Sequence, residues 1–502
     1  MSNSQPKGAI VPPPSFASFP LKEEQLQHSL LRGIAWTGGV KWASQLLSWV
    51  STIVVARLLT PEDYGLVAMA TAFLGLVALV NEFGLGSAIV MLPELHKEQI
   101  AQLNSLAVLL GIAGFAVVCL AAVPLGTFYG SPDLPLVVVI LGVGFIIGAF
   151  RSVPCALLER TLQFKKLAFL EGGQSIVGAT LTVALALGGA GYWSLILGNL
   201  ASSIVVTLVV VTIAWNPFLP PNIRSLANVL RFSWHVFTTR VSWYIASNSD
   251  VFVAGRVLGQ AGLGVYTFSA TLANVPLEKI TGMVNRVAPA FYSAAQADHE
   301  VLRRYLLNLT EGLALITIPA AWGLMLVADD FVQFVLGEKW SLVAAPLRVL
   351  AAYAALRSIT TLISPLFFLT GGSRLAMWNG VLAVAFFPIG FYIGSGWGIV
   401  GVAVAWMVVH PLNLIPMYWY VLPKIGLSFW QYVRVLWPAF SGTVVMTIAV
   451  YAVRMTMPPG SSLITRFLVE IVGGGMAYLL AILILHRGRL TRFIDLLRNA
   501  RS

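Results

Sequence analysis

Charge is scarce in this sequence. Only 10% of its 502 residues are Asp, Glu, Lys or Arg, against roughly a quarter in an ordinary soluble domain. That deficit excludes a large soluble core wrapped in a solvated charged shell. Cysteine is scarcer still, with Cys119 and Cys155 as the whole complement. Both fall in apolar runs, where a free cysteine packs as a small hydrophobe, so neither a disulfide framework nor a metal site is expected. Acids are outnumbered 20 to 31 by Lys and Arg. The bases are dispersed over short loops, however, and form no compact patch of the kind a nucleic-acid partner requires. No metal-ligand spacing, nucleophile triad or phosphate-cradling glycine loop occurs in a fitting context, so the chain is expected to be no enzyme and to carry no cofactor.

Hydrophobicity is what the sequence has in abundance, at 58% of residues and a mean hydropathy of +0.84. Runs of about twenty apolar residues, the length that crosses a bilayer as a helix, recur from 33–58 through 463–485. They number fourteen, which predicts an all-α polytopic membrane protein with about fourteen transmembrane helices. A polar tail, residues 1–32, precedes the first run and no small-residue cleavage site follows it, so the first helix is expected to be retained. With the amino terminus inside the cell, the bases sort by side. Arg57, Arg256, Lys339, Arg454 and Arg466 fall outside; Lys41, Arg240, Lys279, Arg348 and Arg357 fall within runs; the rest of the 31 fall inside. That asymmetry follows the positive-inside rule and predicts a multi-pass protein of the cytoplasmic membrane with both termini cytoplasmic.

An internal echo organises the runs. Val54 to Gly65, VVARLLTPEDYG, returns as Val253 to Gly264, VAGRVLGQAGLG, at an offset of 199 residues that superposes Arg57 on Arg256, Ser48 on Ser247 and Lys41 on Arg240. Six runs fit into that offset. An even number means that both halves enter the membrane in the same direction, as parallel repeats about an axis along the bilayer normal. The expected organisation is a tail (1–32), a six-helix lobe (33–214), a cytoplasmic linker (215–232), a second six-helix lobe (233–421), two appended helices (422–485) and a basic cytoplasmic tail (486–502).

A base at the centre of a lipid-facing helix costs roughly 2.5 to 3.5 kcal/mol, so intramembrane cations normally face a protein interior or a wet cavity. The first run carries Thr37, Lys41, Gln45, Ser48 and Thr52 along one face, and the seventh carries Ser233, Arg240, Tyr244 and Ser247. Such stripes either line a cleft between the halves or serve as hydrogen-bonded seams between helices. Lys41 and Arg240 favour the cleft, with Gln45, Ser48, Tyr244 and Ser247 as candidate lining. Arg348 and Arg357 are nine residues apart and hence on opposite faces of a straight helix. Arg357 is the deeper, and is the third candidate cavity cation. Glu82, Asp250 and Glu278 are candidates for a coupling site or for counter-ions to the arginines. Arg57 and Arg256, at the outer helix ends, are candidates for an outer gate.

The segments VVARLLTPEDYGLVAMA (Val54 to Ala70), NEFGLGSAIV (Asn81 to Val90), ALLERTLQFKKLAFLE (Ala156 to Glu171), SDVFVAGRVLGQAGLGVYTFSATLANVP (Ser249 to Pro276), ITGMVNRVAPAFYSAAQAD (Ile280 to Asp298) and LGEKW (Leu336 to Trp340) resemble the Wzx-type polysaccharide repeat-unit flippases. That family is a branch of the multidrug/oligosaccharidyl-lipid/polysaccharide exporter superfamily. The resemblance implies two six-helix lobes around a central cavity. It also implies transfer of undecaprenyl-diphosphate-linked oligosaccharide from the inner to the outer leaflet for exopolysaccharide, capsule or O-antigen (lipopolysaccharide) synthesis, alongside polymerase and chain-length or export machinery. Lys41, Arg240 and Arg357 would then meet the diphosphate or acidic sugars. Two other readings compete. A cation-coupled multidrug antiporter of the same superfamily is expected to use acids in the amino-terminal lobe, and the first run has none. A membrane glycosyltransferase or polymerase is expected to carry a large catalytic loop, and the loops here are short.

Overall fold

In lipid a backbone N–H or C=O finds no water, so an apolar run must satisfy those groups internally and becomes helix. A computed structural model describes residues 47–82, 85–92, 95–161, 163–222, 226–294, 298–458 and 460–487, and among them every regular element is helical. Twelve helices among the described residues are long and apolar enough to cross a membrane. The chain divides into two compact units, Met1–Gln260 and Ala261–Ser502.

The first unit holds α1 (Leu47–Leu58), α2 (Pro61–Glu82), α3 (Leu85–Met91), α4 (Lys97–Tyr129), α5 (Leu134–Arg160), α6 (Phe164–Leu187) and α7 (Trp193–Ile213). The turn between α1 and α2 is read directly from TPED. Thr60 precedes Pro61 at the first helical position, which lacks the N–H a helix cannot use there. Its amide and hydroxyl both donate to the Asp63 carboxylate, at 2.8 and 3.1 Å. On α3 and its C-terminal side, Arg160 donates to the carbonyls of Ile89 and Leu92, the latter at 2.8 Å, tying the end of α5 to this short helix.

α8 (Ala227–Ala294) runs 68 residues and contains one break, at Gly259, with φ 71° and ψ −172°. That combination is essentially confined to glycine. The two arms correspond to the seventh and eighth apolar runs, and Gly259 occupies the place that Thr60 holds in the first half. The first arm groups with the first unit through its side chains. Tyr244 donates to the Ala72 carbonyl at 2.9 Å, and Gln260 donates to the Glu62 carbonyl at 3.0 Å while accepting from Ser131 at 3.3 Å.

The second unit continues with α9 (His299–Leu326), α10 (Ala328–Phe331), a π turn and a 3-10 turn over 332–343, α11 (Ala344–Thr360), α12 (Ile363–Leu369), α13 (Ser373–Ser395), α14 (Gly398–Lys424), α15 (Phe429–Thr456) and α16 (Leu463–Leu485). α9 starts where Asp298 accepts from the amides of Glu300 and Val301, an N-cap that satisfies two otherwise orphaned donors. The last two helices are bound to the rest by charge as well as packing. Arg454 of α15 forks onto Glu470 of α16 at 2.8 and 2.9 Å and also donates to the Leu326 carbonyl at 2.6 Å. That carbonyl closes α9 and has no acceptor role within its own helix. Asp330 pairs with Arg466 of α16, and Asp329 with Arg348 of α11. Arg348, Arg454 and Arg466 are thus committed to structure at one end of this unit.

Candidate functional site

Arg240 lies on the first arm of α8, 19 residues before Gly259, or about 28 Å along the helix. That distance is close to the roughly 30 Å thickness of a bilayer core. Arg240 therefore sits about one bilayer-core thickness along α8 from the Gly259 break, at the end of the first arm away from the Thr60 and Gly259 turns. Its Nη1 is 3.5 Å from Glu82, the last residue of α2, and its Nη2 donates to Ser87 of α3 at 3.3 Å. The two charged side chains are 47% and 63% exposed. So open an ion pair is worth about 1 kcal/mol or less, and a stronger anion can displace the carboxylate.

Some other residues of the two polar stripes, and Ser51 beside them, are engaged, whereas the buried Ser233 hydroxyl has no hydrogen-bond partner among the described residues. Thr52 donates to the Ser48 carbonyl at 2.8 Å and Ser247 to the Tyr244 carbonyl at 3.3 Å, each within its own helix. Ser51 donates to the Ala179 carbonyl at 3.3 Å, which sets α1 against α6. Tyr244 lies over Gly75, where an added Cβ would fall 2.0 Å from its hydroxyl oxygen. This is an interhelical seam, made possible by a glycine the sequence reading did not single out. Asp250 is 7% exposed and accepts from the Val251 amide at 2.8 Å. Arg256 stands 5.7 Å over the Phe128 ring, and Arg57 is exposed in the last turn of α1. Lys41 and Gln45 lie outside the described residues.

In the second unit Arg357 is an exposed side chain in α11, within the membrane-length segment Glu338–Leu369. Its Nη1 donates to Asn274 on the second arm of α8 at 3.4 Å. α11 is unbroken from Arg348 to Arg357 and breaks only at 361–362, so the two arginines stay on different faces and take different partners. One turn before Arg357, Tyr353 stacks on Trp406 at 5.2 Å and meets His410 edge-on at 5.5 Å. The His410 Nδ1 is buried and makes no hydrogen bond among the described residues. Glu278, one turn beyond Asn274, is exposed.

A third feature was not foreseen. α6 and α7 enclose a groove of about 470 Å³ lined by Glu171, Gln174, Ser175, Thr182, Asn199 and Ser202. The signal was present in the sequence, because 171, 174, 175, 178 and 182 recur at helical spacing on one face of α6.

Comparison with known families decides what kind of chain carries these features. The family described as polysaccharide biosynthesis protein matches residues 54–345, more than half of the chain. This chain belongs to that family. The matched span of this polysaccharide biosynthesis protein holds Arg240, Glu82 and the α6–α7 groove, whereas Arg357 lies beyond it. Over 84% of its length the chain is 27% identical to the lipopolysaccharide biosynthesis protein WzxC of Escherichia coli (strain K12), of which it covers 87%. Over 94% of its length it is 25% identical to the succinoglycan biosynthesis transport protein ExoT of Rhizobium meliloti (strain 1021), covering 96%. Among solved structures it resembles the lipid II flippase MurJ in an inward closed conformation, with a TM-score of 0.77 at 14% identity, covering 91% of this chain and 100% of that one. An inward-facing multidrug resistance MATE transporter gives a TM-score of 0.56 at 17% identity, covering 76% and 95%. At these identities the likeness establishes the fold that the family shares with them.

Proposed function

We propose that this protein is a flippase that carries undecaprenyl-diphosphate-linked oligosaccharide repeat units from the inner to the outer leaflet of the bacterial cytoplasmic membrane. It works by alternating access of two lobes, residues 33–214 and 233–421, with both termini in the cytoplasm. The observation that carries the reading is Arg357: an exposed guanidinium inside the membrane-length segment Glu338–Leu369 is unfavourable against lipid and favourable against an anion in a wet cavity. Arg240, weakly held by Glu82, is a second candidate cation, and Lys41 is its repeat equivalent. The names of WzxC, ExoT and MurJ support the substrate class. Nothing in the reading asks the protein to make or break a bond; its residues bind, release and reorient.

The cations receive the diphosphate and the lipid tail stays in the bilayer. Each of Lys41→Ala, Arg240→Ala and Arg357→Ala is expected to reach the membrane at normal levels and to restore less than about a tenth of the polymer made by wild type, the loss expected for about 1.4 kcal/mol or more of substrate affinity. Full restoration by all three rules out the cationic site. A strain that lacks the protein yet makes normal polymer, and gains drug resistance when the protein is overexpressed, would point instead to the multidrug antiporter.

A further inference from the structure

α15, Phe429–Thr456, is two-faced along its whole length. At about 100° per residue, Tyr432, Ala439, Thr443, Met446 and Val450 share one side, and all are buried. That side packs against α9, α11 and α16. On the opposite side Trp430, Trp437, Val444, Ile448, Tyr451 and Met455 are all exposed. Exposed apolar side chains running the length of a membrane-spanning helix mark the face that lipid covers, since a face turned to water would carry polar ones. One member of this face is not apolar. Arg434 stands between the two tryptophans, four residues after Trp430 and three before Trp437, and its side chain is exposed.

Arg434 makes no ion pair or hydrogen bond among the described residues. α15 itself carries no acid, and the one acid of α16, Glu470, is taken by Arg454 near the far end of the helix pair. A guanidinium facing hydrocarbon without a counter-charge is costly, so the counter-charge comes from whatever covers the face. Arg434 lies six residues past the Ser428 N-cap, or about 9 Å along the axis. From that depth a long side chain reaches back to the headgroup layer. Tryptophan concentrates at the same layer, with its ring among the acyl chains and its N–H toward the headgroups. Neither Trp430 nor Trp437 spends its indole N–H on a partner among the described residues. The group found at that depth outside the protein is a phospholipid phosphate, which a guanidinium grips through paired N–H donors. A zwitterionic headgroup brings its own ammonium to that phosphate, whereas an anionic one leaves the charge for Arg434.

We propose that the Trp430, Arg434 and Trp437 face of α15 binds an anionic phospholipid, with the guanidinium on the phosphate, the two indoles flanking it and the acyl chains lying along the apolar stripe toward Ile448. The topology proposed above puts this lipid in the cytoplasmic leaflet. The site goes beyond the flippase reading and rests only on α15 crossing the membrane.

The test uses the full-length protein in nanodiscs of phosphatidylcholine doped with phosphatidylglycerol, with native mass spectrometry counting the lipids that each variant retains. Wild type is expected to retain phosphatidylglycerol over phosphatidylcholine by about fivefold, the contribution of one arginine beside an anionic headgroup. Arg434→Gln should lose that preference, and Arg434→Lys, which keeps the charge but not the planar fork, should keep about half of it. In pure phosphatidylcholine Arg434→Gln should unfold at the wild-type temperature, because the side chain holds no other part of the protein. No preference in wild type, or an equal preference in Arg434→Gln, overturns the site. A lower unfolding temperature of Arg434→Gln in pure phosphatidylcholine makes the arginine a structural group and overturns it too. Undecaprenyl diphosphate that displaces phosphatidylglycerol from wild type, and binds Arg434→Gln less well, assigns the face to that lipid and not to a phospholipid. No glycan enters these measurements, so the site and the flippase reading stand or fall separately.

Discussion

Single side chains in this protein divide into those that hold helices together and those proposed to meet a ligand, and the division is testable one residue at a time. Gly75 and Tyr244 belong to the first class. An alanine at 75 would put its Cβ 2.0 Å from the Tyr244 hydroxyl oxygen, so the ring must move. Gly75→Ala should destabilise the purified protein by about 1 to 3 kcal/mol, read as a lower unfolding temperature. Tyr244→Phe loses only the bond to Ala72 and should cost about 0.5 to 1.5 kcal/mol. Equal stability of Gly75→Ala and wild type would mean the helices do not meet there. Arg454 is a second case. Glu470 is 1% exposed, so Arg454→Ala strands a buried carboxylate and should cost about 3 to 5 kcal/mol. The double variant Arg454→Leu/Glu470→Leu should recover most of it, because an apolar pair has no charge to desolvate. At this scale the sequence was only partly legible. Residue type and depth marked Arg240 and Arg357 as worth attention, and Glu82 as a counter-ion candidate. They set Arg348, Arg454 and Arg466 aside by depth and face, but did not show that these are spent on Asp329, Glu470 and Asp330. Finding those partners requires knowing which acids a turn brings round, and the turn over 328–343 has no periodicity to read.

The helices were the most legible elements, because the demand that lipid makes on the backbone is met in one way and leaves a long apolar run as its record. Their ends were less so. The repeat of VVARLLTPEDYG as VAGRVLGQAGLG pointed to a shared corner, yet the two corners are built differently. One is capped by Thr60, Pro61 and Asp63, and the other turns on a single residue, Gly259, at φ 71° and ψ −172°. Nothing lies within 4 Å of a Cβ built there, so Gly259→Ala meets no steric obstacle and isolates backbone strain. It should destabilise the protein by about 1 to 3 kcal/mol, measured by thermal unfolding against wild type; an unchanged midpoint would contradict the observed backbone angles. The first arm of α8 also shows what an apolar run cannot record. Sequence order assigns it to the second repeat, while its bonds from Arg240, Tyr244 and Gln260 run to α2, α3 and the turns of the first unit. The α6–α7 groove was visible as a polar face on α6 but not as a groove, since its other wall comes from α7.

For the molecule as a whole, composition alone fixed the class, and the fold shared with MurJ and MATE transporters agrees with it. What composition does not convey is which small fraction of the polar atoms remains uncommitted after folding. Of the hydroxyls on the two polar stripes, those of Thr52 and Ser247 bond within their own helices and that of Tyr244 reaches α2, and Arg348, Arg454 and Arg466 are paired with Asp329, Glu470 and Asp330. Arg357 and the weakly held Arg240 are exposed cations among the described residues, and they are the ones the proposed function assigns to the diphosphate. The most direct measurement of the central claim is the leaflet distribution of lipid-linked repeat units in cells depleted of this protein, read by an impermeant glycan label applied to spheroplasts and to inverted membrane vesicles. The account predicts that the units accumulate and are labelled in inverted vesicles but not on spheroplasts. Labelling on spheroplasts at the wild-type level, in cells with no other flippase for the same glycan, would contradict it.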